Sequence, residues 1–202
     1  MPINADGYIH LLRNHLKLEK YGKTCLAAEA RSLQPNQISL SEALEDRTGR
    51  RKIVLQFDGD ILAVKLDADS NPLYNFLLDE RHPWSKRCDF IIFQSINNQV
   101  KAYCIEFKEA RTRIPLDNIM LQLKAAEAWV CTLNKLISSY LGETHAIQLS
   151  KFVFTACENP APDLDISGRY LARYPSIRHY LFDDVDGVNL SSLENATVNT
   201  IN

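Results

Sequence analysis

Two apolar segments separated by a short polar turn most constrain how this chain can fold. Residues 88–93 (CDFIIF) and 100–107 (VKAYCIEF) are rich in β-branched and aromatic side chains, a composition typical of buried strands. The residues between them, 95–99, have the polar composition of a hairpin turn. These segments therefore predict two paired strands at the centre of the protein.

The next segment carries a long helical pattern that opens near Pro115 and ends at Gly142. Its apolar stripe consists of Ile119, Leu123, Ala126, Val130, Leu133, Ile137 and Leu141. Residues 152–156 then form a further apolar run that predicts a buried strand. Strands on either side of a long helix indicate the α/β class, so we expect a central mixed β-sheet flanked by helices.

The apolar spacing in the N-terminal part of the sequence predicts helices. Apolar residues recur at helical spacing over 8–21, and a shorter helix is expected over 24–33. Ser39 and Glu42 have the S-x-x-E spacing of a capping box. In this motif each of the two side chains accepts a hydrogen bond from the backbone N–H of the other residue. They predict a third short helix that ends at Gly49.

Two more strands are expected before the central pair. Residues 53–57 and 61–66 are apolar runs of strand length. The Asp58-Gly59 pair that joins them favours a tight turn. We therefore expect these two runs to form a β-hairpin.

Length and composition limit the domain organisation and the classes of function. A chain of 202 residues with 46% hydrophobic residues is sized for one folded domain. We expect that domain over 1–186, with N-terminal helices in 7–48 and the core in 50–156, and a polar, flexible tail over 187–202. No stretch predicts a signal peptide or a membrane-spanning helix, and five cysteines without a C-x-x-C pair favour the cytoplasm.

Three charged residues lie where the first central strand begins and the second ends, next to apolar positions where ionic side chains are rare. Asp89 begins the first strand, and Glu106 and Lys108 are two positions apart on the second. Because side chains alternate along a strand, Glu106 and Lys108 share a face, and Asp89 on a hairpin partner can lie beside them. Two carboxylates suit Mg²⁺ or Mn²⁺, and a neighbouring ammonium can orient a water for attack on phosphorus.

The arrangement of Asp89, followed 17 positions later by Glu106-Phe107-Lys108, resembles the motif of the PD-(D/E)XK nuclease superfamily. The resemblance implies a restriction-endonuclease-like fold with elements in the order α-β-β-β-α-β. It also implies metal-dependent hydrolysis of DNA phosphodiester bonds. On the same basis Asp89 and Glu106 are the metal-binding acids, the Phe107 carbonyl is a further metal ligand, and Lys108 is the catalytic lysine.

Other positions match the family in part. Gln122 corresponds to a Gln that RecB-like members place on the helix after the lysine, but the Tyr that often follows four residues later is Ala126. The residue before the first acid is Cys88 rather than Pro. Many members add a Glu from a helix before the sheet, and Glu29 and Glu42 are the candidates here. Each has a competing explanation, Glu42 as a capping residue and Glu29 on a solvated face.

Basic residues flank the acidic centre in sequence. Residues 85–87 precede the first central strand, Arg111 and Arg113 follow the second, and the basic run 47–52 enters from another loop. The net charge of −2 supplies no global basic field, so a DNA partner would have to be held by such local clusters. The competing explanation is that these residues are ordinary charged loops.

Two alternatives to an active nuclease stay open. The first is an inactive subunit that keeps a nuclease-like sheet and acts in nucleic-acid binding or complex assembly, which the small size and the pI near 6.2 favour. The second is an unrelated sheet on which the three charges simply neutralise one another. The habits of the family suggest restriction or anti-phage defence, with a protein partner or a homodimer. The sequence has no G-x-S-x-G elbow, P-loop or G-x-G-x-x-G pattern, which argues against serine hydrolases, NTPases and dinucleotide enzymes.

Overall fold

The computed structural model describes residues 3–16, 36–43, 49–67, 74, 82–109, 111–142 and 145–202. The helices are α1 (Ala5–His15), α2 (Leu116–Leu141) and α3 (Phe182–Val185). The strands are β1 (Gln37–Ala43), β2 (Arg50–Gln56), β3 (Asp60–Lys65), β4 (Phe90–Ile96), β5 (Gln99–Lys108), β6 (Ile147–Thr155), β7 (Tyr170–Leu171), β8 (Tyr174–Leu181) and β9 (Asn199–Ile201).

Within the described residues, one mixed sheet of seven strands organises the fold. Its order is β3-β4-β5-β6-β8-β7, with β9 paired to the start of β6. Strands β3, β4 and β5 are antiparallel neighbours, whereas β6 is parallel to β5 because α2 carries the chain back across the sheet. The predicted α/β class with a central mixed sheet is confirmed.

The sheet has an apolar cluster on each face. On one face, Leu62, Cys104 and Val153 pack in the cluster that includes buried residues of α1 and α2. On the other face, Ile105 and Phe154 pack in a cluster with β1, β2 and the C-terminal segment. Because side chains alternate, the even-numbered residues of β5 face the helices. This alternation decides which face carries the charged residues at the end of β5.

Two predictions for the N-terminal part are wrong. Ser39 and Glu42 do not begin a helix, since both lie in β1, where Ile38 and Leu40 alternate as buried residues on one face. The runs 53–57 and 61–66 do fall in strands, but they do not form a hairpin with each other. Instead β2 pairs with β1, and β3 pairs with β4. Burial of the alternating apolar side chains outweighs the local capping and turn signals.

Other predicted boundaries change less. Helix α1 ends at His15, and the rest of the predicted helix over 8–21 and the helix over 24–33 lie outside the described residues. The C-terminal segment expected to be a polar tail contributes the buried side chains of Leu190, Leu193 and Ile201. In the described part of the chain, no helix is both long enough and apolar enough to cross a membrane.

The turn between β2 and β3 depends on a glycine. Gly59 has a φ of 75°, and a Cβ there would lie 2.1 Å from the Ser95 carbonyl oxygen. Gly142, at the end of α2, has a similar φ of 69° but no atom within 4 Å of such a Cβ. The two positions share backbone strain, and only Gly59 adds a steric clash.

Replacing Gly59 by Ala is therefore expected to lower the free energy of unfolding by about 3 kcal/mol or more, against about 1 kcal/mol for Gly142→Ala. Urea unfolding of the two variants measures the difference. Equal losses at both positions would contradict the close approach to Ser95.

Candidate metal centre and active site

The strand register brings the three predicted ionic residues to one place. Phe90 of β4 pairs with Ile105 of β5, and the same register continued by one residue sets Asp89 opposite Glu106. Glu106 and Lys108 lie at the end of β5 on the face that carries α1 and α2. Asp89 lies on the same face, so the side chains that the sequence predicted to converge do converge.

Hydrogen bonds fix this group. The Phe107 backbone N–H donates to Oδ2 of Asp89, and the Lys108 ammonium donates to Oε1 of Glu106. Glu106 is fully buried, Asp89 is 6% exposed, and the Lys108 side chain is 16% exposed. The second oxygen of Glu106, Oε2, has no hydrogen-bond partner among the described residues. A buried carboxylate oxygen without a donor is a costly arrangement that a cation would relieve.

Burial dominates the protonation of both acids. It raises the pKa of Glu106 to about 7, although the nearby Lys108 charge opposes the shift. Burial also raises the pKa of Asp89 well above its ordinary value, and the negative charge of Glu106 adds to the effect. The two carboxyl groups therefore disfavour their charged forms in the folded chain, and a divalent cation between them would reverse that preference.

Two further acids lie beside Asp89. Glu42 on β1 and Asp67 just after β3 each place a carboxylate oxygen so that those of Glu42, Asp67 and Asp89 all lie within 4.8 Å of one another. Lys65 Nζ is 2.5 Å from Glu42 Oε2 and 3.7 Å from Asp67 Oδ1. These three acids and Glu106, which lies opposite Asp89, place four carboxylates close together, with Lys65 and Lys108 as the neighbouring ammonium groups.

The sequence pattern predicted one of these two acids, Glu42, but not the other. Glu42 was one of two candidates for an upstream acid, but it reaches the cluster from a strand rather than a helix; the other candidate, Glu29, lies outside the described residues. Asp67 was not predicted. No sequence signal pointed to Asp67, because it comes near Asp89 through a tertiary contact: the backbone N–H of Leu66 donates to the Asp89 carbonyl at 3.0 Å.

Gln122 has a more distant place in the site. Its side-chain amide on α2 donates to the Arg87 carbonyl at 3.0 Å. This bond ties α2 to the segment that leads into Asp89. Among the described residues, the Gln122 side chain makes no hydrogen bond to Asp89, Glu106 or Lys108.

The basic residues around the site have different environments. Arg51 makes two hydrogen bonds with Glu109, at 2.7 and 3.1 Å, and its guanidinium lies 4.8 Å from the centroid of the Phe182 ring. Its charge is therefore engaged within the protein. Arg111 and Arg113, which follow the end of β5, are exposed. These two remain available to a phosphate chain.

The chemistry open to this cluster follows from its donors. Carboxylate oxygens are the ligands that Mg²⁺ and Mn²⁺ prefer, and a partly exposed ammonium can interact with an anionic substrate.

Comparisons of the chain with protein-family models, curated proteins and solved structures find no match.

Proposed function

We propose that this chain is a divalent-metal-dependent nuclease that hydrolyses phosphodiester bonds in DNA. The observation that carries the proposal is the convergence of Asp89, Glu106 and Lys108 at the ends of two neighbouring strands. The buried Oε2 of Glu106, which has no hydrogen-bond partner among the described residues, supports the presence of a cation at this position. The cation is Mg²⁺ or Mn²⁺, since the side-chain ligands are hard oxygens.

The order of elements supports the PD-(D/E)XK resemblance. Helix α1, strands β3, β4 and β5, helix α2 and strand β6 follow one another as α-β-β-β-α-β, with β1 and β2 inserted after α1. The three motif residues lie on the helix-bearing face at the end of this unit. This placement favours a shared fold over an accidental salt bridge on an unrelated sheet.

Each residue has a distinct task in the proposed mechanism. Asp89 and Glu106 would hold the metal, with the Phe107 carbonyl as a further ligand, and a cation held there would supply Lewis-acid polarisation of the phosphoryl oxygens of the substrate. The Phe107 backbone N–H keeps the Asp89 carboxylate in position. Lys108, which bonds to Glu106, orients the attacking water and stabilises the negative charge that develops on the oxygens around phosphorus.

The position of free positive charge favours a polyanionic substrate. Exposed Arg111 and Arg113 follow β5 directly, and exposed Lys86 lies three residues before Asp89. These side chains flank the candidate centre in the chain, where they can contact phosphates on either side of the scissile bond. The contacts are to the backbone of the nucleic acid and carry no sequence preference.

The experiment that tests the proposal combines cleavage with metal binding. Linear and circular DNA are incubated with the purified chain in Mg²⁺, in Mn²⁺ and in EDTA, and Mn²⁺ binding is measured by calorimetry. We expect cleavage only with metal, and we expect Asp89→Asn and Glu106→Gln each to weaken Mn²⁺ binding by about tenfold or more.

A matched control is Asp184→Asn, which removes an exposed acid from α3. It should leave metal binding and cleavage unchanged. Cleavage that persists in EDTA, or Mn²⁺ binding that survives both site substitutions, would contradict the proposal. Metal binding without cleavage would instead favour the inactive, nuclease-like subunit.

A further inference from the structure

A second concave site lies on the sheet face opposite α1 and α2. It is a cavity of about 460 Å³, within the range of about 300–1,000 Å³ typical of small-ligand pockets. Its floor is formed by Lys101 and Tyr103 of β5 and by Gln148 and Ser150 of β6. Lys101 is five residues before Glu106, which separates the cavity from the acidic centre by about 16 Å along the strand.

The floor offers polar groups that the protein itself does not use. The register pairs Lys101 with Gln148 and Tyr103 with Ser150, so the four side chains are neighbours. The Tyr103 hydroxyl is engaged with Gln94 at 2.8 Å. Among the described residues, the side chains of Lys101, Gln148 and Ser150 make no hydrogen bond or ion pair. Their polar groups are therefore available to a ligand.

The wall of the cavity is held in place. Asn195 in the C-terminal segment donates to the carbonyls of Lys151 and Ser176 at 2.9 and 3.1 Å. The backbone N–H of the next residue, Ala196, donates to the Tyr170 hydroxyl at 2.8 Å. These hydrogen bonds join the C-terminal segment to β6, β7 and β8, and they hold this wall of the cavity in position.

The charges that line the cavity favour an anion. Lys101 and Arg169 are the basic lining residues, and Glu194 is the acidic one. Within the described chain, no ion pair joins either basic side chain to a carboxylate. The lining therefore carries one net positive charge. The volume exceeds that of an isolated phosphate, so an anionic ligand that fills it also needs an organic body.

We propose that this cavity binds a small phosphorylated ligand of nucleotide size, at a site separate from the candidate metal centre. Lys101 and Arg169 hold the phosphate through charge-assisted hydrogen bonds. Gln148 and Ser150 bond to the polar edge of the ligand body, and Tyr103 contacts its apolar surface. The inference does not depend on the proposed nuclease activity.

Calorimetry on the full chain tests this site with defined probes. The 5′-monophosphates of adenosine, guanosine, cytidine and uridine are titrated in EDTA, which keeps divalent metal out of the experiment. Inorganic phosphate and the unphosphorylated nucleosides are titrated in parallel. We expect saturable binding of at least one nucleotide, and affinities lower by about tenfold or more for phosphate alone and for the matching nucleoside.

Substitutions then locate the binding. Lys101→Glu and Arg169→Glu should each weaken the nucleotide by about tenfold or more, because each loses one charge-assisted contact and adds repulsion. Lys124→Glu, a charge reversal at an exposed position of α2, should leave the affinity unchanged. The proposal is overturned if none of the four nucleotides saturates. It is also overturned if phosphate alone binds as well as the nucleotide, or if Lys101→Glu matches Lys124→Glu.

Discussion

Replacing Lys108 by Ala is expected to slow metal-dependent DNA cleavage by about 10²–10⁴-fold while the chain stays folded. The Lys108 ammonium bonds to Glu106 and retains 16% side-chain exposure, so it lies next to the acids and still contacts solvent. Its loss removes the group that we propose orients the water and offsets negative charge, but it leaves both acids in place. Initial cleavage rates at saturating Mg²⁺ measure the effect, and circular dichroism checks the fold.

Two other lysines serve as controls for this result. Lys124→Ala removes an exposed ammonium from α2 and should not change the rate. Lys65→Ala removes an ammonium that pairs with Glu42, one of the clustered acids. Comparing its rate with that of Lys108→Ala separates a general effect of local positive charge from the specific role of Lys108. A Lys108→Ala chain that cuts DNA as fast as the parent would show that the assigned role is wrong.

The central strands and the long helix could be predicted because their signals are local and strong. The apolar runs around Ile91 and Cys104 are dense enough to specify buried strands, and the apolar stripe of α2 fixes its period. Once two strands are joined by a short turn, their register follows from the turn. The observed turn consists only of Asn97 and Asn98, and it sets Asp89 opposite Glu106. The longer turn predicted over 95–99 would have set Asp89 opposite Ile105, so the sequence predicted the approach of the two acids but not the exact register.

The part of the site contributed by β1 and β3 could not be deduced in the same way. Pairing of β2 with β1 instead of β3 depends on which apolar faces become buried together, and the sequence between Phe57 and Gly59 does not encode that choice. The capping-box pattern at Ser39 is a short signal that occurs in strands as well. Asp67 enters the cluster only through the alignment of β3 with β4, which is a tertiary feature.

Replacing Glu106 by Gln is expected to weaken the pH dependence of stability in EDTA, although burial still raises the pKa of Asp89. Burial raises the pKa of Glu106 from 4.5 to about 7 in the folded chain. Between these two values the folded chain keeps a proton that the unfolded chain releases, so the free energy of unfolding of the parent falls as the pH rises. Gln cannot ionise, and the variant should therefore be more stable than the parent at pH 8, by up to about 3 kcal/mol.

Urea unfolding at several pH values measures this difference, which should be largest above pH 7 and smallest near pH 4. Asp184→Asn, at an exposed acid on α3, should follow the pH dependence of the parent. Adding Mn²⁺ at pH 8 should stabilise the parent and have little effect on Glu106→Gln, because a metal that binds only the folded chain raises its stability. Parallel pH curves for parent and variant would mean that Glu106 titrates normally, and the electrostatic reason for a cation at this position would be lost.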